Sequence, residues 1–275
     1  MTEHAFEDPQ DLLIELCQED FSVYVRTAWP WIDGRDLIDW NSKIDAMAYR
    51  LEQVQFGEIR RSLINLPPLN AETKIVSVLW VAWRLDMDPT LNFVSVSYSN
   101  GLSAKIARDC RSVMESRWYR EIFSGTIISK SRSAAYHVEV TKGGGWLATS
   151  VAGTLTGRGG DIIILDHFIK PDEAHSQAAR KSVNKWFQST FASRLDDKQK
   201  GVIIFVLQRL HEVDLSGMLL EKWAGTISRR QPFQRRMKQS CSRVAACIAA
   251  TKPMCFTPSE NHTNSSATLK RQWAR

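Results

Sequence analysis

The sequence contains no long apolar run. None of its segments approaches the roughly 20 consecutive apolar residues of a membrane-spanning helix. The first four residues are polar and acidic, without the basic start and apolar core of a secretory signal. With 275 residues, 43% hydrophobic and 24% charged, the composition is typical of a globular protein with one large domain. We therefore predict a cytoplasmic chain without membrane segments.

Closely spaced cysteine pairs are also missing. Three of the five cysteines, Cys241, Cys247 and Cys255, are separated by five and seven residues, and His262 is the nearest histidine. A structural zinc site normally requires a ligand pair two to four residues apart. We therefore expect free thiols rather than a zinc site.

Acidic residues are nearly absent from the last fifth of the chain. Residues 222–275 contain 11 basic side chains and one acid, Glu260, whereas residues 1–221 contain 25 basic and 29 acidic side chains. The formal net charge of +6 therefore belongs to the C-terminal segment, and the rest of the chain is slightly acidic. Residues 224–275 show no hydrophobic period, and we predict that they are poorly ordered.

Hydrophobic spacing predicts alternating helices and strands. Residues 9–56 are predicted to form two helices separated by Trp29-Pro30-Trp31. Short apolar runs predict six strands: 62–66, 92–97, 136–140, 146–151, 162–165 and 202–207. Further helices are predicted over 73–85, 101–116 and most of 171–192. Strands that are apolar throughout and alternate with helices favour an α/β fold with a largely parallel sheet covered on both faces.

Three polar segments lie next to the predicted strands. The first joins a strand to a helix, where backbone N–H groups can bind phosphate: Leu66, Pro67, Pro68, Leu69, Asn70, Ala71, Glu72 and Thr73. The second, residues 156–161, precedes a strand that ends at Asp166, a position where a carboxylate can hold magnesium. The third, Gln208-Arg209, ends the last strand. Because ligands bind at the carboxyl ends of parallel strands, the pattern predicts one nucleotide site.

In this order and spacing, the segments resemble the ATPase domain of the large terminase subunit of tailed bacteriophages and prophages. The resemblance covers roughly residues 40–221, and its specificity lies in the ordered set rather than in any one motif. Further matching segments are Ser97-Tyr98-Ser99, Ser116-Arg117-Trp118-Tyr119, Gly143-Gly144-Gly145, Ser193-Arg194-Leu195, Leu210-His211-Glu212 and Asp214-Leu215.

The resemblance implies a P-loop NTPase of the ASCE type that binds ATP and Mg²⁺. It divides the chain into an N-terminal helical segment (1–56), an ATPase domain (57–221) and a basic tail (222–275). It also implies a homo-oligomeric motor in a bacterial host cell, with double-stranded DNA, a small terminase subunit, a portal and a prohead as partners.

The phosphate loop departs from the family pattern, which reads Pro-Pro-Arg, two variable residues, Lys and then Ser or Thr. Alignment on Thr73 puts Leu69 at the arginine and Glu72 at the lysine. A glutamate repels the phosphates that the lysine attracts, so we expect weakened ATP binding. Lys74 is the alternative cation, but on a helix it points about 100° away from residue 73.

The strand predicted to hold the metal also departs from the family pattern. The family places two successive carboxylates there, one for magnesium and one as the base, and this chain has Asp166-His167. Histidine can act as a base near neutral pH. Two interpretations therefore stay open: His167 is the base, or it inactivates or tunes the site.

The remaining positions follow the resemblance. Thr73 and Asp166 are the magnesium residues, and Arg158 is an arginine finger or a strut of its Gly-rich loop. Gln208 and Arg209 occupy the nucleotide-coupling position, although Arg209 can also be an ordinary surface residue in a salt bridge. The alternatives for Asp214 are a helix cap and, with His211 and Glu212, a metal cluster; the order of residues favours the cap.

Two interpretations of the tail and of the function remain. With Glu260 as its single acid, residues 222–275 cannot supply a two-metal nuclease site, so we expect no nuclease domain. The tail is either an out-of-frame translation that begins near residues 223–228 or a DNA-binding arm. The chain is correspondingly predicted to be a packaging ATPase with impaired hydrolysis or a non-catalytic prophage remnant.

Overall fold

A six-stranded sheet organises the protein, in a computed structural model that describes residues 9–33, 42–66, 71–130, 134–151, 153, 159–191 and 194–223. The strand order is β1-β6-β5-β2-β4-β3. The strands are β1 Arg61–Asn65, β2 Asn92–Ser97, β3 His137–Glu139, β4 Gly145–Ser150, β5 Ile162–Asp166 and β6 Val202–Leu207. Five strands are parallel, and β3 pairs antiparallel with β4. The predicted α/β fold with a largely parallel sheet is confirmed.

The carboxyl ends of β1, β6 and β5 lie side by side at one end of the sheet. Asn65 of β1 is paired with Leu207 of β6, and Asp166 of β5 is paired with Val206. Since these strands are parallel, Asn65, Asp166 and Leu207 lie at the same end of the sheet. The aspartate predicted to bind the metal and the Gln208-Arg209 pair therefore lie close to the end of β1.

Three helices precede the sheet: α1 Pro9–Glu19, α2 Phe21–Asp33 and α3 Ser42–Gln55. The predicted break at Trp29-Pro30-Trp31 was wrong, because this cluster lies inside α2 and the chain turns earlier, at Asp20. Pro30 removes only one helical hydrogen bond, and the burial of Trp29 offsets that loss. At Asp20, the side chain accepts a hydrogen bond from Val23 N and so begins α2.

The helix after β1 is continuous but not uniform. It begins with Ala71–Thr73, widens into a π-helical segment, Lys74–Leu79, and ends as a regular α-helix, Trp80–Met87; we call the whole of it α4. Five of the six residues in its π-helical segment are buried. The remaining helices are α5 Asn100–Glu115, α6 Arg117–Ile122, α7 Gln177–Trp186, which follows a 3₁₀ turn at Asp172–His175 and leads into a π turn at Phe187–Phe191, and α8 Leu215–Trp223.

Each face of the sheet is covered by its own apolar core. On one face, α1–α6 pack together, and the ring of Phe21 in α2 lies 5.1 Å from that of Trp83 in α4. On the other face, α7 and α8 cover a smaller core around Phe187 and Phe205. The N-terminal helices therefore share one continuous core with the sheet. No helix in the described part of the chain is both long and apolar enough to cross a membrane.

Candidate nucleotide site

The first turn of α4 places three of the predicted phosphate-loop residues at the carboxyl edge of the sheet. Ala71, Glu72 and Thr73 form this turn, directly after the segment that leaves β1. Pro68, Leu69 and Asn70 lie outside the described residues, as does Arg158. The described part of the site therefore consists of the start of α4 and the strand ends facing it.

Asp166 is the centre of this region. Its side chain is fully buried, and its Oδ1 accepts a hydrogen bond from Thr73 Oγ1 at 3.0 Å. Oδ2 accepts a second bond from Ser77 Oγ at 2.5 Å. The two residues predicted to bind magnesium, Thr73 and Asp166, are thus in direct contact although they are 93 residues apart in sequence.

His167 lies against the same carboxylate. Its Nδ1 is 2.7 Å from Asp166 Oδ1, and its backbone φ is 50°, in the left-handed region. The backbone is held in that conformation on both sides: His167 N donates to Val206 O, and Tyr98 N donates to His167 O. The hydrogen bond to Asp166 raises the pKa of His167, burial opposes that rise, and the charges of Asp166 and Glu72 add to it. The imidazole is therefore biased toward its protonated form.

Glu72 brings a second carboxylate into the site. Its side chain is only 5% exposed, and its Oε2 is buried with no hydrogen-bond partner among the described residues. A buried carboxylate oxygen without a donor is unfavourable, because it loses its hydration without compensation. The first turn of α4 therefore has a buried acidic side chain at the position where the resemblance implies a phosphate-binding lysine.

Lys74, the alternative cation, is directed elsewhere. Its Nζ lies 5.4 Å from the centroid of the Trp29 ring, in a cation–π arrangement with α2. Lys74 consequently links α4 to the N-terminal helices, and the described structure gives no contact between it and Asp166.

Gln208 and Arg209 directly follow β6, beside the last residue of β1. Arg209 N donates to Asn65 Oδ1 at 2.9 Å, which ties the tip of β6 to the last residue of β1. Among the described residues, no carboxylate forms a salt bridge with Arg209. The pair is therefore adjacent to the candidate site and anchored there through its backbone.

Asp214 caps α8, as predicted. Its Oδ2 accepts from Leu210 N and His211 N, and its Oδ1 accepts from Gly217 N and Ser216 Oγ. Burial raises the pKa of Asp214, but these four hydrogen bonds outweigh it and leave the pKa below its usual value. Within the described ranges, no cluster of three His, Cys, Asp or Glu side chains is suited to bind a metal. Cys241, Cys247 and Cys255 lie outside those ranges.

Two contributors to the site were missed from sequence. Ser77 is an inconspicuous serine in an apolar helix, and Asn65 is the last residue of a buried strand. The signal for Ser77 was its position four residues after Thr73, which places two hydroxyls on one helix face. No comparable signal existed for Asn65, since its partner is 144 residues away.

The side-chain oxygens of the site suit Mg²⁺ better than they suit the phosphates of ATP. Carboxylate and hydroxyl oxygens, as supplied by Asp166 and Thr73, are the hard ligands that Mg²⁺ prefers. A triphosphate, in contrast, requires nearby cations, and the buried carboxylate of Glu72 opposes it. The described residues therefore fit a magnesium ion and do not fit a triphosphate.

Comparison with known proteins gives a match in structure but none in sequence. No protein-family model and no curated protein matches the chain. Its structure is similar to the crystal structure of the HK97 bacteriophage large terminase, with a TM-score of 0.52 and 13% identity over 83% of this chain and 48% of that one. The chain thus spans about half the length of that protein. At this identity the likeness concerns the fold alone: this chain has a terminase-like α/β fold.

Proposed function

We propose that this chain is the ATPase domain of a phage DNA-packaging terminase large subunit in which ATP binding and hydrolysis are impaired. The terminase-like fold supports the first part of the proposal. The strand order supports it too, because β6 lies between β1 and β5, and such an additional strand defines ASCE-type NTPases. The contact between Thr73 and Asp166 is the arrangement expected of a magnesium site at the end of a phosphate loop.

The buried Glu72 carboxylate is the observation that carries the second part. It stands where the resemblance implies a lysine, and its Oε2 has no hydrogen-bond partner among the described residues. One pair of unit charges about 4 Å apart is worth about 4 kcal/mol at an effective dielectric constant near 20. Exchanging attraction for repulsion therefore changes the binding free energy of a triphosphate by several kcal/mol.

His167 is proposed to tune the site rather than to act as its base. Its Nδ1 lies 2.7 Å from Oδ1 of Asp166, the residue proposed to hold the metal, so the imidazole is placed to modify that carboxylate. When bound, Mg²⁺ would neutralise phosphate charge, and Thr73 and Asp166 would hold it.

The partners follow from the proposed family and are proposals of the same kind. They are double-stranded DNA, a small terminase subunit, a portal with its prohead and further copies of this chain. The cytoplasm of a bacterial host is the corresponding location.

A non-catalytic prophage remnant is the second candidate. The hydrogen bonds of Asp166 favour it, because Thr73, Ser77 and His167 already satisfy this carboxylate from within the protein. A remnant would keep at most an oligomer or DNA surface.

The decisive experiment compares the native chain with the double variant Glu72→Lys/His167→Asp, which restores the family residues. Calorimetric titration with Mg-ATP should show at least about 100-fold tighter binding by the variant, because several kcal/mol of repulsion are removed. ATP turnover should rise with it. Glu58→Lys/His175→Asp makes the same charge change at two exposed residues and should leave binding unchanged.

The outcomes separate the two candidates. Measurable turnover by the native chain would exclude the remnant. Binding of Mg-ATP by the native chain as tightly as by the double variant would contradict the proposed impairment.

A further inference from the structure

The hydroxyl of Ser77 reaches out of its own helix. Hydroxyls within helices often donate to the backbone carbonyl four residues earlier. Among the described residues, Thr27 donates to Val23 O and Ser189 to Lys185 O in this way, whereas Ser103 Oγ lies within hydrogen-bond distance of both Ser99 O and Thr149 O. Ser77 leaves its own helix and donates to Asp166 Oδ2, 89 residues away in sequence.

The shape of α4 explains how Ser77 reaches that atom. Ser77 lies in the π-helical segment Lys74–Leu79, one turn after Thr73, so both hydroxyls project from the same side of the helix. Thr73 contacts Oδ1 and Ser77 contacts Oδ2 of one carboxylate. The two hydroxyls therefore hold Asp166 from both of its oxygens.

We propose that Ser77 is a positioning residue for Asp166, whose hydroxyl keeps Oδ1 turned toward Thr73 and so maintains the magnesium site. A serine hydroxyl carries a single hydrogen, and that hydrogen is committed to Oδ2. Without it, Oδ2 would be a buried carboxylate oxygen lacking a donor, which favours rotation of the side chain against the hold of Thr73 and His167 on Oδ1. The inference rests on the proposed function to the extent that Thr73 and Asp166 hold a metal.

Ser62 provides a matched control. It is also fully buried, in β1, but its Oγ has no hydrogen-bond partner among the described residues. Ser77→Ala and Ser62→Ala remove the same atom from equally buried sites, and only the first removes a hydrogen bond. A general effect of deleting a buried hydroxyl would be common to both variants.

The experiment has two independent measurements. Crystal structures of the two alanine variants of the otherwise native chain should show Asp166 rotated in Ser77→Ala and unchanged in Ser62→Ala. In the Glu72→Lys/His167→Asp background, Mn²⁺ binding in the presence of ATP is measured by electron paramagnetic resonance. Ser77→Ala should weaken it by about 10- to 100-fold, the range typical of residues that orient a metal ligand, while Ser62→Ala should not.

Each outcome decides something. An unchanged Asp166 side chain in Ser77→Ala, or a rotated one with unaltered Mn²⁺ affinity, overturns the inference. If the Glu72→Lys/His167→Asp background binds neither ATP nor Mn²⁺, the proposed nucleotide site is contradicted, and the crystal structures still decide whether Ser77 positions Asp166. Should Ser77→Ala fail to fold, Ser77→Cys, whose thiol is a weaker donor, takes its place in both measurements.

Discussion

Charge at the sheet edge is concentrated in three residues. Asp166 is fully buried and accepts hydrogen bonds from Thr73, Ser77 and His167, whereas Oε2 of the buried Glu72 has no hydrogen-bond partner among the described residues. The hydrogen bond to Asp166 raises the pKa of His167, which favours a protonated imidazole beside that carboxylate. At the scale of single residues, the site therefore has a histidine against its aspartate and a glutamate where phosphate would require a cation.

The raised pKa of His167 predicts how stability depends on pH. A group whose pKa is higher in the folded state contributes stability that is fully present below its unfolded pKa, about 6.5, and is lost as the pH rises through the folded pKa. The difference in unfolding free energy between the native chain and His167→Asn should accordingly shrink as the pH is raised through that range. Urea unfolding at a series of pH values measures it.

Asp166→Asn is the control for this prediction. It removes the carboxylate that contributes most to the raised pKa of His167, so the His167 pKa measured by NMR titration should fall. A native His167 that titrates at or below 6.5 would contradict the expected shift.

At the scale of elements, the turn between β3 and β4 shows how closely the backbone is packed. The predicted hairpin with a Gly143-Gly144-Gly145 turn is confirmed, and Gly143 has a φ of 99°, which favours glycine. Gly144 N donates to Pro89 O and Gly145 N donates to Leu91 O, so the turn packs against the segment before β2. This contact joins the antiparallel edge of the sheet to the parallel part.

Gly144→Ala should therefore destabilise the protein by more than about 2 kcal/mol. A Cβ at this position would lie 2.5 Å from Pro89 O and 2.6 Å from Leu91 O, and both are backbone atoms that cannot move aside cheaply. Gly101→Ala is the matched control, since its Cβ would meet nothing closer than Ser99 Oγ at 3.9 Å. Because Gly101 lies in α5, alanine there should be neutral or stabilising by about 0.5–1 kcal/mol. Thermal unfolding of both variants tests the contrast.

At the scale of the whole molecule, the N-terminal helices and the sheet share one core. Trp83 of α4 donates from its Nε1 to Cys17 O, and Tyr24 packs against Phe123 at 5.3 Å between ring centroids. Lys74 adds its contact with Trp29 close to the candidate site. We infer that α1–α3 and the sheet unfold together.

Phe21→Ala tests that inference, because the Phe21 ring is fully buried between α2 and α4. The substitution should lower the free energy of unfolding by about 3–5 kcal/mol. In native-state hydrogen exchange, the amides of β5 and β6 should lose the same amount of protection free energy. Phe56→Ala, at a side chain that is 59% exposed, should have a much smaller effect. Unaltered protection of β5 and β6 in Phe21→Ala would show that the helices form a separate unit.

The sequence by itself determined the α/β architecture, because apolar strands that alternate with helices can be buried only in a sheet covered on both faces. It also identified Glu72 and His167 as departures from the pattern of the family that the chain resembles, since that comparison requires residue types alone. Only the tertiary structure decided what these residues contact. The bond from Ser77 to Asp166, the left-handed conformation of His167 and the orientation of Lys74 toward Trp29 depend on elements far apart in the chain. Such contacts arise from strand pairing and helix packing, which no local pattern of residues encodes.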